Sequence, residues 1–209
     1  MTDQADLAYL KSVAESGQRA PLLGGRFFLW WGGLACIALV LHWAILAQVI
    51  AVHEAWLGAL WAGYGIIGGT GASFLARSLR NKPGLGAAST RSERAVWMAM
   101  TATVFAYAIG IVVANSMNLF DVSLVILFDT IPLVAFGGYG IAFYVTTALG
   151  GPNWMGHLAP VAWVASGVGV CWVGTPHLYL FAAVVTAVLG VLPGIILMRN
   201  EPPAEPESV

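Results

Sequence analysis

Asp129 is the one acidic residue well inside an apolar stretch, which runs from about Val122 to Leu149. A charged side chain at mid-bilayer costs about 2.5–3.5 kcal/mol on insertion scales, so such a residue needs a partner and faces other helices. His42 lies in the stretch from about Phe27 to Ala51, at a comparable depth in the outer half of the membrane. An imidazole–carboxylate hydrogen bond can therefore form if those two helices touch. Pro132, three residues after Asp129, leaves the Phe128 carbonyl without its helical donor. A break there would open a polar pocket holding Asp129, Thr130 and Gln48. The chemistry of such a pocket is proton or cation binding in a transporter. The plainer alternative is a paired Asp that locks helices together.

A second set of titratable groups gathers in the predicted outer links: His53 and Glu54, Asp121, and His177. Zinc and related ions take such mixtures of imidazole and carboxylate ligands, provided the three links converge. Ordinary solvated loop residues are the competing reading. Haem would need axial ligands at matched depth, but His42 falls in the outer half and His157 at the inner end. The sequence has no GxSxG, HExxH, paired CxxC or P-loop pattern. No cofactor and no catalytic constellation are expected from it. Cys36 and Cys171 fall at different depths, which argues against a disulfide.

These residues must be positioned by helices in lipid. Apolar residues make up 59% of the chain and charged residues 9%, against about 25% in a soluble domain. A water-exposed surface cannot be covered at that composition, and a net charge of −1 offers no field for nucleic acid. Six stretches are each close to the roughly 20 residues that cross a bilayer: about 27–51, 55–75, 95–116, 122–149, 154–173 and 177–198. All nine Lys and Arg fall on one side of the topology these stretches define. The positive-inside bias then predicts an all-α integral membrane protein, a six-helix bundle with both ends in the cytoplasm. The loop 77–94 carries Arg77, Arg80, Lys82, Arg91 and Arg94 against Glu93 alone. Thr90-Arg91-Ser92-Glu93 fits a capping box for the third span.

Residues 2–16, within a cytoplasmic segment 1–26, read as a short amphipathic helix, and 199–209 as an acidic, Pro-rich, disordered tail. The first span is expected to serve as an uncleaved anchor. The compact, Ala/Gly/Val-rich format points to a bacterial inner membrane. Helices in lipid meet through small residues that let backbones approach. The third span has Ala102, Ala106, Gly110 and Ala114 at four-residue spacing, and the second has Gly65, Gly69 and Ser73. The sixth has Gly190 and Gly194. These faces are expected to pack against other spans of the same chain, with dimerisation as the alternative. Gly63-Tyr64-Gly65-Ile66 recurs as Gly138-Tyr139-Gly140-Ile141, a chance echo or a weak repeat.

The functional expectation is a non-catalytic membrane subunit or regulatory partner, surrounded by membrane lipid. Its protein contacts would run through 1–26, 77–94 or 200–209. The alternative is a small transporter using Asp129, and a weaker one is an intramembrane enzyme acting on a lipid. Oligomeric state cannot be read from these patterns.

Overall fold

The computed structural model describes residues 22–80, 82, 85–119 and 123–201. Six long helices account for most of them: α1 Gly25–Leu46, α2 Trp56–Ser78, α3 Ala88–Ser116, α4 Leu124–Ala148, α5 Asn153–Trp172 and α6 His177–Arg199. No β-strand occurs among the described residues. All of these helices but α2 are long and apolar enough to span a membrane, with mean hydropathy from 1.2 to 2.6 over their best windows. The protein is thus a helical multi-pass membrane protein. α2 has the length, at 23 residues, but is diluted by Gly, Trp and Tyr. The expected amphipathic helix at 2–16 and the tail beyond Glu201 lie outside the described residues.

Helix ends follow local chemistry. α1 stops at Leu46, before the expected 51, because Gln48 takes a left-handed conformation (φ 56°). There the Gln48 N–H donates to Ile45 O and the Val49 N–H to Ala44 O. Asn118 (φ 52°) and Gly150 (φ 99°) end α3 and α4 in the same way, returning N–H groups to the last carbonyls. α3 begins at Ala88, so Thr90 and Glu93 are already inside its first turns. The expected capping box does not form. The Glu93 carboxylate sits against Gly24 at the start of α1, and Thr90 Oγ1 is buried without a partner.

α1 and α6 form the closest helix pair. A Cβ on Gly32 would lie 3.1 Å from the Gly190 carbonyl carbon, and one on Gly194 2.6 Å from the Leu29 nitrogen. Only hydrogen at these Cα positions lets the two backbones touch. α6 widens into a π-turn over Ala187–Val191, just ahead of Pro193. Proline lacks the N–H for an ordinary helical bond and crowds the preceding turn, and the wider turn absorbs that conflict. α4 and α5 make the other extensive contact. There Gly140 receives the Trp163 ring and Ser166 Oγ donates to Leu133 O at 2.8 Å. α4 runs through Pro132 as one helix, so the expected break is not present.

α2 attaches to α1, and α3 to α4. Gly68 and Gly71 of α2 take the rings of Trp31 and Trp30, and Trp30 Nε1 donates to Gly68 O at 3.1 Å. These two tryptophans hold helices together rather than serving only as interfacial anchors. α3 meets α4 through Met100 against Gly138 and Trp97 against Tyr139 and Phe143.

Of the expected packing stripes, Gly190 and Gly194 meet α1, whereas those of the second and third spans do not pack within the described chain. Ala102, Ala106 and Gly110 are exposed, Ala114 is half-buried, and a Cβ on Gly110 would meet nothing within 4 Å. Gly65 and Gly69 likewise have open space, and Ser73 is exposed with its hydroxyl returned to Gly69 O. The repeated tetrapeptides also diverge. Gly138 and Gly140 receive side chains, whereas Gly63 and Gly65 receive none.

The described Lys and Arg residues mark one end of the bundle. Arg26 at the start of α1 pairs with Glu201 after α6 (2.9 Å) and donates to Ser78 Oγ at the end of α2 (3.0 Å). Lys82 reaches the same Glu201 at 3.4 Å. This ties the start of α1 to the ends of α2 and α6.

Gly194→Leu is expected to force α1 and α6 apart and to lower stability in detergent by about 1–3 kcal/mol, the usual cost of overpacking. Gly110→Leu should leave the melting temperature of the monomer unchanged. Parallel thermal melts of the two purified variants check this pair, and equal losses would place the packing face on α3 after all.

Candidate functional site

Asp129 lies near the start of α4, at the end of the bundle opposite the basic residues, and is 1% exposed. Both carboxylate oxygens are engaged. The Tyr179 hydroxyl donates to Oδ1 at 2.6 Å, and the Gly174 backbone N–H donates to Oδ2 at 2.7 Å. Gly174 sits in the α5–α6 link with φ 80°, a conformation that suits glycine. Asp129 therefore ties α4 to the link and to the first turn of α6.

His42 does not bond to Asp129, because Tyr179 lies between them. The Tyr179 ring stacks on the His42 imidazole, with centroids 3.5 Å apart and planes at 24°. On its far side, His42 Nδ1 accepts a hydrogen bond from Trp61 Nε1 at 3.1 Å. Trp61 can only donate, so Nδ1 carries the lone pair and the proton resides on Nε2. The result is a relay across four helices, running from α2 through α1 and α6 to α4.

The other expected partners lie elsewhere. Thr130 faces α3, where its hydroxyl meets the Tyr107 hydroxyl at 2.7 Å and donates to Leu127 O at 2.6 Å. Gln48 is in the link after α1, and its side chain donates to Ile45 O at 3.2 Å. The pocket expected around Asp129, Thr130 and Gln48 is not assembled. Of the outer titratable groups, the described His53, Glu54 and His177 are not grouped to hold a metal. His53 Nδ1 accepts from the Ala55 N–H at 3.1 Å, and His177 opens α6. Asp121 lies outside the described residues. No group of three or more His, Cys, Asp or Glu is placed to hold a metal among the described residues. Both cysteines are free, and Cys36 Sγ donates to Ala183 O at 3.4 Å.

The relay forms one wall of a cavity of about 440 Å³. Four residues of α1 face it at helical spacing: Ala35, Leu39, His42 and Leu46. α2 contributes Leu57, Gly58, Trp61 and Tyr64, with Glu54 just before it. Met100, Val104, Phe105 and Ala108 enter from α3, Phe128, Pro132, Ala135 and Tyr139 from α4, and Tyr179 and Thr186 from α6. Among the described residues, no Lys or Arg lines it. α2 and α3 both line the cavity, yet they are not among the packed helix pairs of the described residues. Both helices therefore border the cavity without an extensive contact between them among the described residues. Its volume falls within the about 300–1,000 Å³ typical of small-molecule sites, and its walls are mostly apolar with a few polar groups, as in such sites.

Of these residues, the sequence pattern singled out His42 and Glu54, and it missed Tyr179, Trp61 and the cavity. One usable signal was there. Tyr179 lies two residues into a span after His177, at the depth of Asp129. The two echoed tyrosines, Tyr64 and Tyr139, both line the cavity. No protein-family model, curated protein or solved structure matches the chain.

The Asp129 geometry predicts a graded mutational response. Asn can turn its oxygen to the Gly174 N–H and its amide toward the Tyr179 oxygen, which can accept. Asp129→Asn should therefore fold with a small loss. Asp129→Leu leaves two buried donors unpaired, each costing about 1–3 kcal/mol, and should express poorly. Melting temperatures of both variants and of Tyr179→Phe, ordered Asn above Phe above Leu, are the check.

Proposed function

We propose that this chain is a non-catalytic, six-span inner-membrane protein that takes a lipid-like apolar molecule from the bilayer into its central cavity. It would act as a binding subunit or regulatory partner of a larger membrane system. The observation that carries this reading is a mostly apolar cavity bordered by α2 and α3, a pair without extensive contact among the described residues, which suits a side entrance at membrane depth.

Two further observations support the placement. α2 reaches from Trp61, beside His42, to Ser78, beside Arg26, and carries no charge before Arg77. That length and composition suit a sixth span. The described Lys and Arg residues cluster at the end that holds Arg26, Lys82 and Arg199, which favours a cytoplasmic position for that end. The transporter reading draws less support from Asp129, since both of its oxygens already hold helices together and it does not line the cavity.

A photoreactive alkyl diazirine tests the reading. In purified protein it should label cavity residues such as Val104 and Phe128 above the lipid-facing Ile109. Ala108→Trp, which fills the cavity, should remove that labelling several-fold. Ala106→Trp, on the exposed face of the same helix, should not. Uniform labelling of Val104 and Ile109, unchanged by Ala108→Trp, would reject the proposal.

A further inference from the structure

We infer that the cavity selects neutral apolar molecules bearing a carbonyl acceptor, such as a quinone or an acyl ester, by a hydrogen bond from His42. This inference rests on the proposed binding role and specifies its ligand class. The argument begins with the direction of one proton. Trp61 Nε1 occupies His42 Nδ1 at 3.1 Å, so Nε2 carries the hydrogen. His42 lines the cavity, and no described residue accepts from Nε2. The ring cannot turn freely to find another partner, because it is stacked on Tyr179 at 3.5 Å, and Tyr179 is itself fixed by Asp129. A fixed donor therefore borders a mostly apolar space, whose other polar side chains include Glu54, Tyr64, Thr101, Tyr139 and Thr186. A donor held in an apolar site without an acceptor costs free energy that a carbonyl oxygen restores.

Charge narrows the class. The cavity is lined by Glu54 and, among the described residues, by no Lys or Arg, so a carboxylate or phosphate headgroup would meet repulsion from Glu54 and no counter-charge from them. A hydrocarbon without polar atoms would fill the space but leave the His42 donor unpaired. A neutral carbonyl on an apolar chain meets both conditions. Quinones and neutral acyl esters share that chemistry, and a side entrance between α2 and α3 would admit either from the bilayer.

The test is competition against the alkyl diazirine on the full chain in detergent. A decyl-substituted benzoquinone, methyl decanoate, decanoate and decylbenzene serve as competitors. In the wild type, at least one of the two carbonyl compounds should compete about three- to tenfold better than decylbenzene, the range one net hydrogen bond supplies. Decanoate should compete less well than its methyl ester. Which carbonyl compound is the stronger identifies the source. His42→Phe keeps a ring to stack on Tyr179 but has no donor, so the preference should vanish while decylbenzene still competes. Trp61→Phe leaves the imidazole proton unfixed and should weaken the preference, which keeps the test open if His42→Phe does not fold. Equal competition by decylbenzene and both carbonyl compounds, or a preference that survives His42→Phe, overturns the inference and leaves the apolar cavity standing. Failure of all four compounds to compete overturns the binding role as well.

Discussion

Backbone contact between α1 and α6 is the constraint on which the rest of this bundle depends. In lipid, apolar surface is as comfortable facing acyl chains as facing another helix, so burial alone does not bring helices together. Close packing requires side chains that are nearly absent, and Gly25, Gly32, Gly190 and Gly194 supply them along one seam. With that seam made, the π-turn before Pro193 keeps Gly190 against Gly32. α2 then hangs on α1 through Trp30 and Trp31, and α3 on α4 through Trp97 and Met100. The two outer helices make no extensive contact with each other among the described residues, and both line the cavity.

Polar groups close the structure at the other end. Asp129 is fully occupied by a tyrosine hydroxyl and a backbone N–H, and that fixes Tyr179 as the platform on which His42 stacks. The tryptophan on α2 then sets the tautomer of the same histidine. A residue that looks like an ion site when met alone thus acts as an anchor, and its neighbour inherits the exposed chemistry. Orientation passes along the relay by hydrogen bonds and stacking, each too short-ranged to act unless all four helices are in place.

Much of the fold was legible from sequence because bilayer thickness sets helix length and charge cost sets where helices stop. α4 at Leu124–Ala148 against an expected 122–149 illustrates this. The end of α1 was not legible, because a left-handed Gln48 carries no compositional signal. Helix partners were harder still. Four-residue spacing of small side chains marks a face that permits close approach, but it does not say whether another helix comes. Gly110 and Gly194 look alike in sequence, and only the second meets a neighbour. Asp129 was conspicuous by its charge, whereas Tyr179 and Trp61 are common span residues whose roles exist only in three dimensions. The cavity, being a space among five helices, has no local signature.

Lipid access to the seam between α2 and α3 is the physical statement on which the functional account stands. A fluorine label at a Val104→Cys position, in a chain lacking Cys36 and Cys171 and embedded in bilayer discs, reports it directly. Lipids carrying a spin label in the acyl chain should broaden that resonance nearly as much as one from a label at Ile109, and far more than one at the buried Leu178. A Val104 label as protected as the one at Leu178 would mean that the seam closes in a membrane, and the account of a laterally loaded cavity would be contradicted.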